Sequence, residues 1–365
     1  MTIKKLFADP YAINTDTAER FAETLGMRCT PVEEASEIYR QTQQTPDPIH
    51  KGKEYIFLTQ NRGAFIRECP GTRDYTCCGY KILHVGTYCY MDCSYCILQA
   101  YFHPPLLQYF TNHNDLKQEL QREFAKNRIS RIGTGEFTDS LIWEVYADLS
   151  SGLIQEFSTQ HRAVLELKTK TTAIGHLGNV SHNRKTIISW SLNTPKVIAE
   201  QEKGTSSLTA RFTAAATCER WGYPLAFHFD PMFVYPGCKE DYGKVVQQLF
   251  THVNPGNIVW ISMGTFRYIP ALKQIIEKRF PDSDIIYGEF IPGLDGKMRY
   301  FKPLRVELYR FMVDLIKEIA PDVQVYLCME SDEVWMKAFG YTPEKYGGLD
   351  KILDRKAMDH CGLYR

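Results

Sequence analysis

A chain of 365 residues, 44% hydrophobic and 24% charged, is long enough for a sizeable core and has the balance of an ordinary globular protein. Its 43 basic and 43 acidic residues cancel, which excludes a global cationic field for nucleic acid but leaves room for a local basic groove. No long apolar run reads as a membrane span or secretory leader, and eleven cysteines in such a chain point to metal chemistry in a reducing compartment, so a cytoplasmic setting is expected.

The first sixty residues are a polar lead-in. Asn14 to Phe21 predicts a helix capped near Asn14 and ending around Gly26. Gln41–Lys53, rich in Gln, Pro and charge, predicts a connector, and Tyr55–Thr59 a short strand. Cys69, Cys77 and Cys78 follow around a Pro70-Gly71 turn. Adjacent cysteines do not easily pair with each other, so these thiols are either inert buried side chains or ligands of an auxiliary metal centre. The spacing does not select a fourth ligand from Cys29, Cys218, Cys238, Cys328 and Cys361.

From residue 81 the pattern repeats. Apolar, β-rich runs recur at 81–85, 128–132, 164–168, 186–192, 224–229 and 257–262. Helical faces lie between several of them: Leu116, Leu120 and Phe124; Leu208, Phe212, Ala215 and Ala216; Val245, Val246 and Phe250. Alternating βα units at this spacing predict a parallel sheet covered by helices, in the form of an open, partial (β/α)6 TIM-like barrel. A doubly wound sheet competes, but no GxGxxG opens a helix after the first strand. The expected division is an N-terminal extension over residues 1–80 packing on the barrel, the barrel itself over 81–283, and a C-terminal extension over 284–365. In that last part Asp284–Tyr287 predicts a strand, and Ile291–Tyr300 a hairpin tipped by Asp295-Gly296. A helix over Leu304–Ile319 and a strand over Val323–Met329 follow.

The chemistry-bearing stretch is Gly86 to Gln99, with Cys89, Cys93 and Cys96 in a CxxxCxxC pattern. Three thiolates on one short loop can hold three irons of a [4Fe–4S] cluster and leave the fourth iron open. Zinc and a disulfide framework compete. Zinc prefers a closed set of four ligands, and His84 lies in an apolar run; a disulfide does not suit a reducing compartment. Active sites of parallel barrels lie at the carboxyl ends of the strands, which would group this loop with Glu136, Thr138, Lys170, Ser191 and Asn193. Glu136 can accept from an ammonium group and Lys170 can pair with a carboxylate. Thr138, Ser191 and Asn193 offer neutral hydrogen bonds to a carboxylate or ribose. Gly133 and Gly135 are expected to admit a ligand close to the backbone. Singly, each of these residues fits ordinary loop chemistry; their shared position after successive strands makes the case.

The CxxxCxxC loop resembles that of the radical S-adenosylmethionine superfamily, and Cys93-Ser-Tyr-Cys96-Ile-Leu-Gln99 resembles the spore photoproduct lyase group within it. The resemblance runs from about residue 50 to about residue 300. It implies a [4Fe–4S] cluster and S-adenosylmethionine as cofactors and a 5'-deoxyadenosyl radical as the reactive species. Gly133-Thr-Gly-Glu136 is similar to the superfamily motif whose carboxylate binds the cofactor amine. Thr169-Lys170 and Ser191-Leu-Asn193 resemble segments that bind its carboxylate and other polar groups. The resemblance further implies a reductant protein such as flavodoxin or ferredoxin, and DNA as substrate; a monomer off the membrane is expected.

Two departures bear on the reaction. Glu136 stands where the lyases carry a hydrogen-donating cysteine, and Ile97 replaces one of the two tyrosines flanking the third cluster cysteine, leaving Tyr95. The hydrogen relay is then absent or rebuilt, with Tyr95 and Cys238 as the candidates. These departures favour a different substrate (a small molecule, a peptide or RNA), whereas Arg299, Lys302 and Arg305 around Tyr300 and Phe301 read as a basic–aromatic patch for a phosphate backbone. A non-catalytic iron–sulfur protein is the reading from another class.

Overall fold

The structure, a computed structural model, describes residues 2–71 and 74–364. Its centre is an eight-stranded sheet whose strands lie in sequence order: β1 (Ile66–Glu68), β2 (Lys81–Leu83), β3 (Ser130–Gly133), β4 (Ala163–Thr169), β5 (Thr186–Ser191), β6 (Leu225–Met232), β7 (Ile258–Thr265) and β8 (Val325–Leu327). The β1/β2 pair is antiparallel and every later neighbour is parallel. A parallel sheet wound in strict order, with helices in its crossovers, curls progressively instead of doubling back. The result is an open half-barrel of TIM type. All six expected runs become barrel strands, and a seventh parallel strand, β8, joins them from beyond residue 284.

The helical faces packed on this sheet bury the positions that the 3.6-residue period picks out. Leu116, Leu120 and Phe124 are buried in the helix His113–Phe124, and Leu208, Phe212 and Ala215 in Leu208–Arg220. A second sheet interleaves with the barrel. Lys5–Ala8 lies between Cys29–Pro31 and Tyr55–Thr59, and the latter pairs with Leu107–Phe110, which carries Gly86–Thr87 on its other edge. The stretch just before the thiol loop therefore belongs to the second sheet and ties the two layers together.

Local expectations held in part. The first helix spans Asp16–Leu25, capped by the Thr15 side chain one residue after Asn14, and ends at Gly26 with φ 61°. The expected connector over 41–53 instead contains the end of a helix, Ala35–Thr42, and a short one, Pro48–Gly52, started by an Asp47 cap. Asp284–Tyr287 is a turn, closed by Tyr287 N–H donating to the Asp284 carbonyl at 3.0 Å, with Ile285 and Ile286 buried beneath it. Its apolar pair anchors a loop, and no neighbouring strand edge takes it up among the described residues. The hairpin forms, with Phe290–Pro292 antiparallel to Met298–Tyr300.

Candidate active site

The thiol loop leaves the second sheet at Thr87. Tyr88 takes a left-handed conformation, φ 74°, and its N–H donates to the Phe137 carbonyl at 2.8 Å, which fastens the loop to the segment after β3. Polar contacts hold the loop at several further points. Lys53 Nζ donates to the Met91 carbonyl at 2.5 Å and to Asp92 at 2.7 Å, and Arg279 adds a bond to Asp92 at 3.0 Å. Gln99 Nε2 donates to the carbonyls of Cys93, Ser94 and Cys96 at 3.2, 2.9 and 3.2 Å. Ser94 Oγ donates to Gln201 Oε1 at 2.5 Å. Buried carbonyls satisfied this densely make a rigid loop whose side chains are held in place.

Cys89, Cys93 and Cys96 are all free thiols. Burial pushes the Cys89 thiol well up, with the Asp139 carboxylate adding to the effect. The Cys93 thiol is pushed up to about 12 by burial, opposed by the nearby Lys170 ammonium. Neutral, sequestered thiols of this kind lose their protons when a cation arrives, because the metal supplies the charge that the dry surroundings lack. Among the described residues no three His, Cys, Asp or Glu side chains close on a single ion. In an iron–sulfur cluster each thiolate takes a different iron, so its ligands stand further apart, and three thiols on one clamped loop fit that donor set. His84 is no ligand: it is buried among Phe102, Phe110 and Phe137, and burial lowers its imidazole to about 4, so it stays neutral.

The strand ends and the connections that follow them hold the other expected residues in different ways. Asp139 organises the centre. Its carboxylate accepts from Leu141 N–H at 3.0 Å, Thr169 Oγ1 at 2.8 Å and Lys170 N–H at 2.8 Å. Lys170 thereby projects from the end of β4 with its ammonium 5.9 Å from the centre of the Tyr95 ring. Glu136 is ion-paired with Lys168, two residues short of Lys170. Thr138 is buried, its hydroxyl directed at the Asp139 carbonyl at 3.4 Å. Ser191 is buried, and its carbonyl accepts from Arg211 Nη1 at 2.8 Å. The Asn193 amide is committed within the protein: it donates to the Pro231 carbonyl at 2.9 Å and accepts from the Tyr242 hydroxyl at 2.7 Å. Cys238 opens the helix Cys238–His252 and is buried.

The glycines at the end of β3 and just beyond it are required by packing. A Cβ on Gly133 would lie 1.7 Å from the Tyr80 hydroxyl, and one on Gly135 would lie 2.7 Å from Lys168 Cβ. The basic–aromatic patch is overturned as a phosphate grip. Arg299 is buried against Asp295 at 2.8 Å with its guanidinium 4.1 Å from the Tyr75 ring centre, and Arg305 is buried in a two-pronged pair with Glu330 at 3.0 and 3.2 Å. Tyr300 is buried too, and Lys302 is paired with Glu333. Neutralising these cations internally costs less than leaving them unpaired at a packed hairpin base.

Sequence reading missed two buried groups beside the loop, Glu202 and Arg211. A two-residue strand pairs Glu202 with Cys93 and Lys203 with Asp92. The Glu202 carboxylate accepts from the Tyr95 hydroxyl, from Arg211 Nη2 at 2.6 Å and from Asn193 Nδ2 at 3.5 Å. No local signal marks Glu202 in a Gln-Glu-Lys-Gly stretch that reads as surface. The barrel interior behind is polar: His228 bridges Glu166 and Ser262 at 2.6 Å each, and Arg267 pairs with Asp230 at 3.1 and 3.2 Å.

The family model described as spore photoproduct lyase matches residues 76–293. The spore photoproduct lyase of Clostridium acetobutylicum is 23% identical over 292 residues, covering 79% of this chain and 80% of that protein. That of Bacillus subtilis is 26% identical over 211 residues, covering 56% of this chain and 61% of its own length. A solved structure of a spore photoproduct lyase mutant with bound AdoMet and dinucleoside spore photoproduct superposes with a TM-score of 0.78 at 21% identity, over 90% of this chain and 99% of that one. The likeness at that identity is one of fold.

Proposed function

Because the chain belongs to the spore photoproduct lyase family, we propose that it is a radical S-adenosylmethionine enzyme of the lyase type, with its cluster on Cys89, Cys93 and Cys96 and a nucleic-acid photolesion as its substrate class. The observation that carries this reading is the clamped loop of three free thiols at the carboxyl end of the barrel, inside the segment that the family matches. Cys89, Cys93 and Cys96 would hold a [4Fe–4S] cluster that, once reduced by a flavodoxin- or ferredoxin-type protein, would supply the electron for reductive cleavage of S-adenosylmethionine.

The chain's own residues bind and orient around that event. Lys170, held through its backbone by Asp139, would pair with the cofactor carboxylate. Glu136 would accept from its ammonium, sharing its carboxylate with Lys168. Thr138, Ser191 and Asn193 would offer their polar groups from neighbouring strand ends, where all three are buried and Asn193 is held by Tyr242. Tyr95, held by Glu202 and packed against Phe233, would be the residue that passes a hydrogen atom, and its burial supports that role. With the cations at the hairpin base neutralised, contact with DNA falls to the exposed apolar residues Ile291 and Leu294 of the hairpin, a wedge more than a phosphate clamp.

A changed hydrogen return, and with it a changed substrate, is the second reading. It is favoured by the Glu136–Lys168 pair at the position of the lyases' donor cysteine, because a carboxylate held by a lysine exchanges protons and not hydrogen atoms. The test is anaerobic turnover with dithionite, following 5'-deoxyadenosine and restored thymine together. Absence of reductive cofactor cleavage in cluster-loaded protein would refute the radical-enzyme reading; cleavage without thymine restoration would favour the changed substrate.

A further inference from the structure

The open barrel has a seam where its first and last strands approach each other, and four free thiols gather there. Cys69, Cys77 and Cys78 lie on the β1–β2 connection and Cys328 directly follows β8; all four line one cavity with Leu327 and Met329. The connection is tied to the far edge by Thr76 N–H donating to the Glu330 carbonyl at 3.1 Å. Cys69 N–H donates to the Tyr80 carbonyl at 3.0 Å, and Cys328 N–H to the Met263 carbonyl at 2.8 Å, so the backbone on both sides of the seam is held.

We propose that Cys69, Cys77, Cys78 and Cys328 hold a second iron–sulfur cluster that closes this seam. Inert buried cysteines would be scattered through the core, as Cys218 and Cys361 are, whereas four of the eleven meet in one place from two distant segments. Cys77 is exposed, which the packing explanation of a buried small hydrophobe does not cover. Disulfides would have to choose among neighbours, and the adjacent pair Cys77-Cys78 is the least favourable choice. Among the described residues no three such side chains close on one point, whereas a cluster takes each thiolate on its own iron or in pairs and does not require that convergence.

Charge supports this occupant. A cluster held by four thiolates is an anion, since the thiolates and sulfides outweigh the iron charges. Two buried guanidiniums flank the cavity: Arg267 Nη2 lies 3.5 Å from Cys328 Sγ and 3.4 Å from Met329 Sδ, and Arg131 donates to the Cys78 carbonyl. Each also has a carboxylate partner, Asp230 and Asp354, so what the two offer an anion at the seam is N–H donors held in place more than net charge. Binding releases the four thiol protons to solvent and changes no oxidation state in the protein. Joining segments so far apart in sequence restricts the unfolded chain most, which gives such a clip its stabilising effect.

The test uses the full chain with Cys89, Cys93 and Cys96 all replaced by Ala, reconstituted anaerobically with iron and sulfide, so that failure of the first assignment cannot mask the second. This background should retain about two or about four iron with equal sulfide, the contents of the cluster types that four cysteines hold, and an iron–sulfur absorption band. Adding Cys328→Ser, a near-isosteric change, should remove all of it while the far-ultraviolet dichroism of the apo-protein stays as in the background. A background chain that holds no iron and sulfide, zinc bound in their place, or a full complement surviving Cys328→Ser would each overturn the proposal.

Discussion

The Tyr95 hydroxyl donates to the Glu202 carboxylate, which also neutralises the buried Arg211 at 2.6 Å. This pair joins the thiol loop to the β5–β6 connection and decides how Tyr95 can behave. Burial, reinforced by Glu202, raises the phenol well above its ordinary range, so Tyr95 stays protonated and can part with its hydrogen only as an atom or through Glu202. Replacing Glu202 by Ala strands Arg211, fully buried, and should cost about 3–5 kcal/mol in denaturant unfolding. Tyr95→Phe leaves the Glu202–Arg211 pair intact. It should cost no more than about 1.5–3 kcal/mol, the range for a hydrogen bond to a charged group. Equal losses in the two variants would show that the pair is not the structural element.

Cys89, Cys93 and Cys96 are expected to account for one cluster. Replacing all three by Ala should lower the iron and sulfide of reconstituted protein by about four each, the content of one cubane, and abolish reductive cleavage of S-adenosylmethionine. A folded triple variant with the full wild-type complement would disprove the assignment.

Lys170→Ala and Glu136→Gln should keep the cluster but weaken S-adenosylmethionine binding, read by titration of the cluster spectrum. Each removes one charge-assisted contact worth roughly 1.5–3 kcal/mol, about ten- to a hundredfold in affinity. Glu136→Gln also frees the Lys168 ammonium, so its effect should be the more salt-dependent of the two. Wild-type affinity in both would place the cofactor elsewhere.

If the hydrogen return is changed, as the second reading holds, a spore photoproduct dinucleotide should be repaired poorly while 5'-deoxyadenosine still forms, because Glu136 offers no weak S–H bond; repeated thymine restoration is the outcome that supports the photolesion reading. Cys238 is buried at a helix start and is the expected rescue donor if repair does occur. Efficient repair that survives Cys238→Ala would place the donor at another residue.

Glu123 sets an acid limit on stability. Burial alone would raise its carboxyl, but bonds from Lys126 at 2.6 Å, Lys81, and Ser130 Oγ at 2.6 Å, with Arg128 at 3.3 Å, hold it down at about 2. A depressed folded pKa stabilises above the unfolded value, and that stability is lost as pH falls through the folded one. Between about pH 4.5 and pH 2 the wild type should therefore lose on the order of 2 kcal/mol that Glu123→Gln lacks throughout. Parallel acid-unfolding curves for the two proteins would refute this.

The amino-acid sequence by itself determined the parts whose causes are local. The alternation of apolar runs from residue 81 with helical faces such as Leu116, Leu120 and Phe124 dictated parallel strands covered by helices, and the Cys89–Cys96 spacing dictated one loop of three thiols. Only the tertiary structure decided what each charge faces. Glu202 reads as surface and is buried because a two-residue strand brings it against Cys93. Arg299 and Arg305 read as a nucleic-acid patch and turn inward because Asp295 within the hairpin and Glu330 beyond β8 pair with them. Cys328 reaches Cys69, Cys77 and Cys78 because β8 ends beside the seam. Periodicity records which face of an element is apolar; the partner of a buried charge or thiol depends on how the sheet curls and which distant edge it meets, and no short stretch of sequence carries that information.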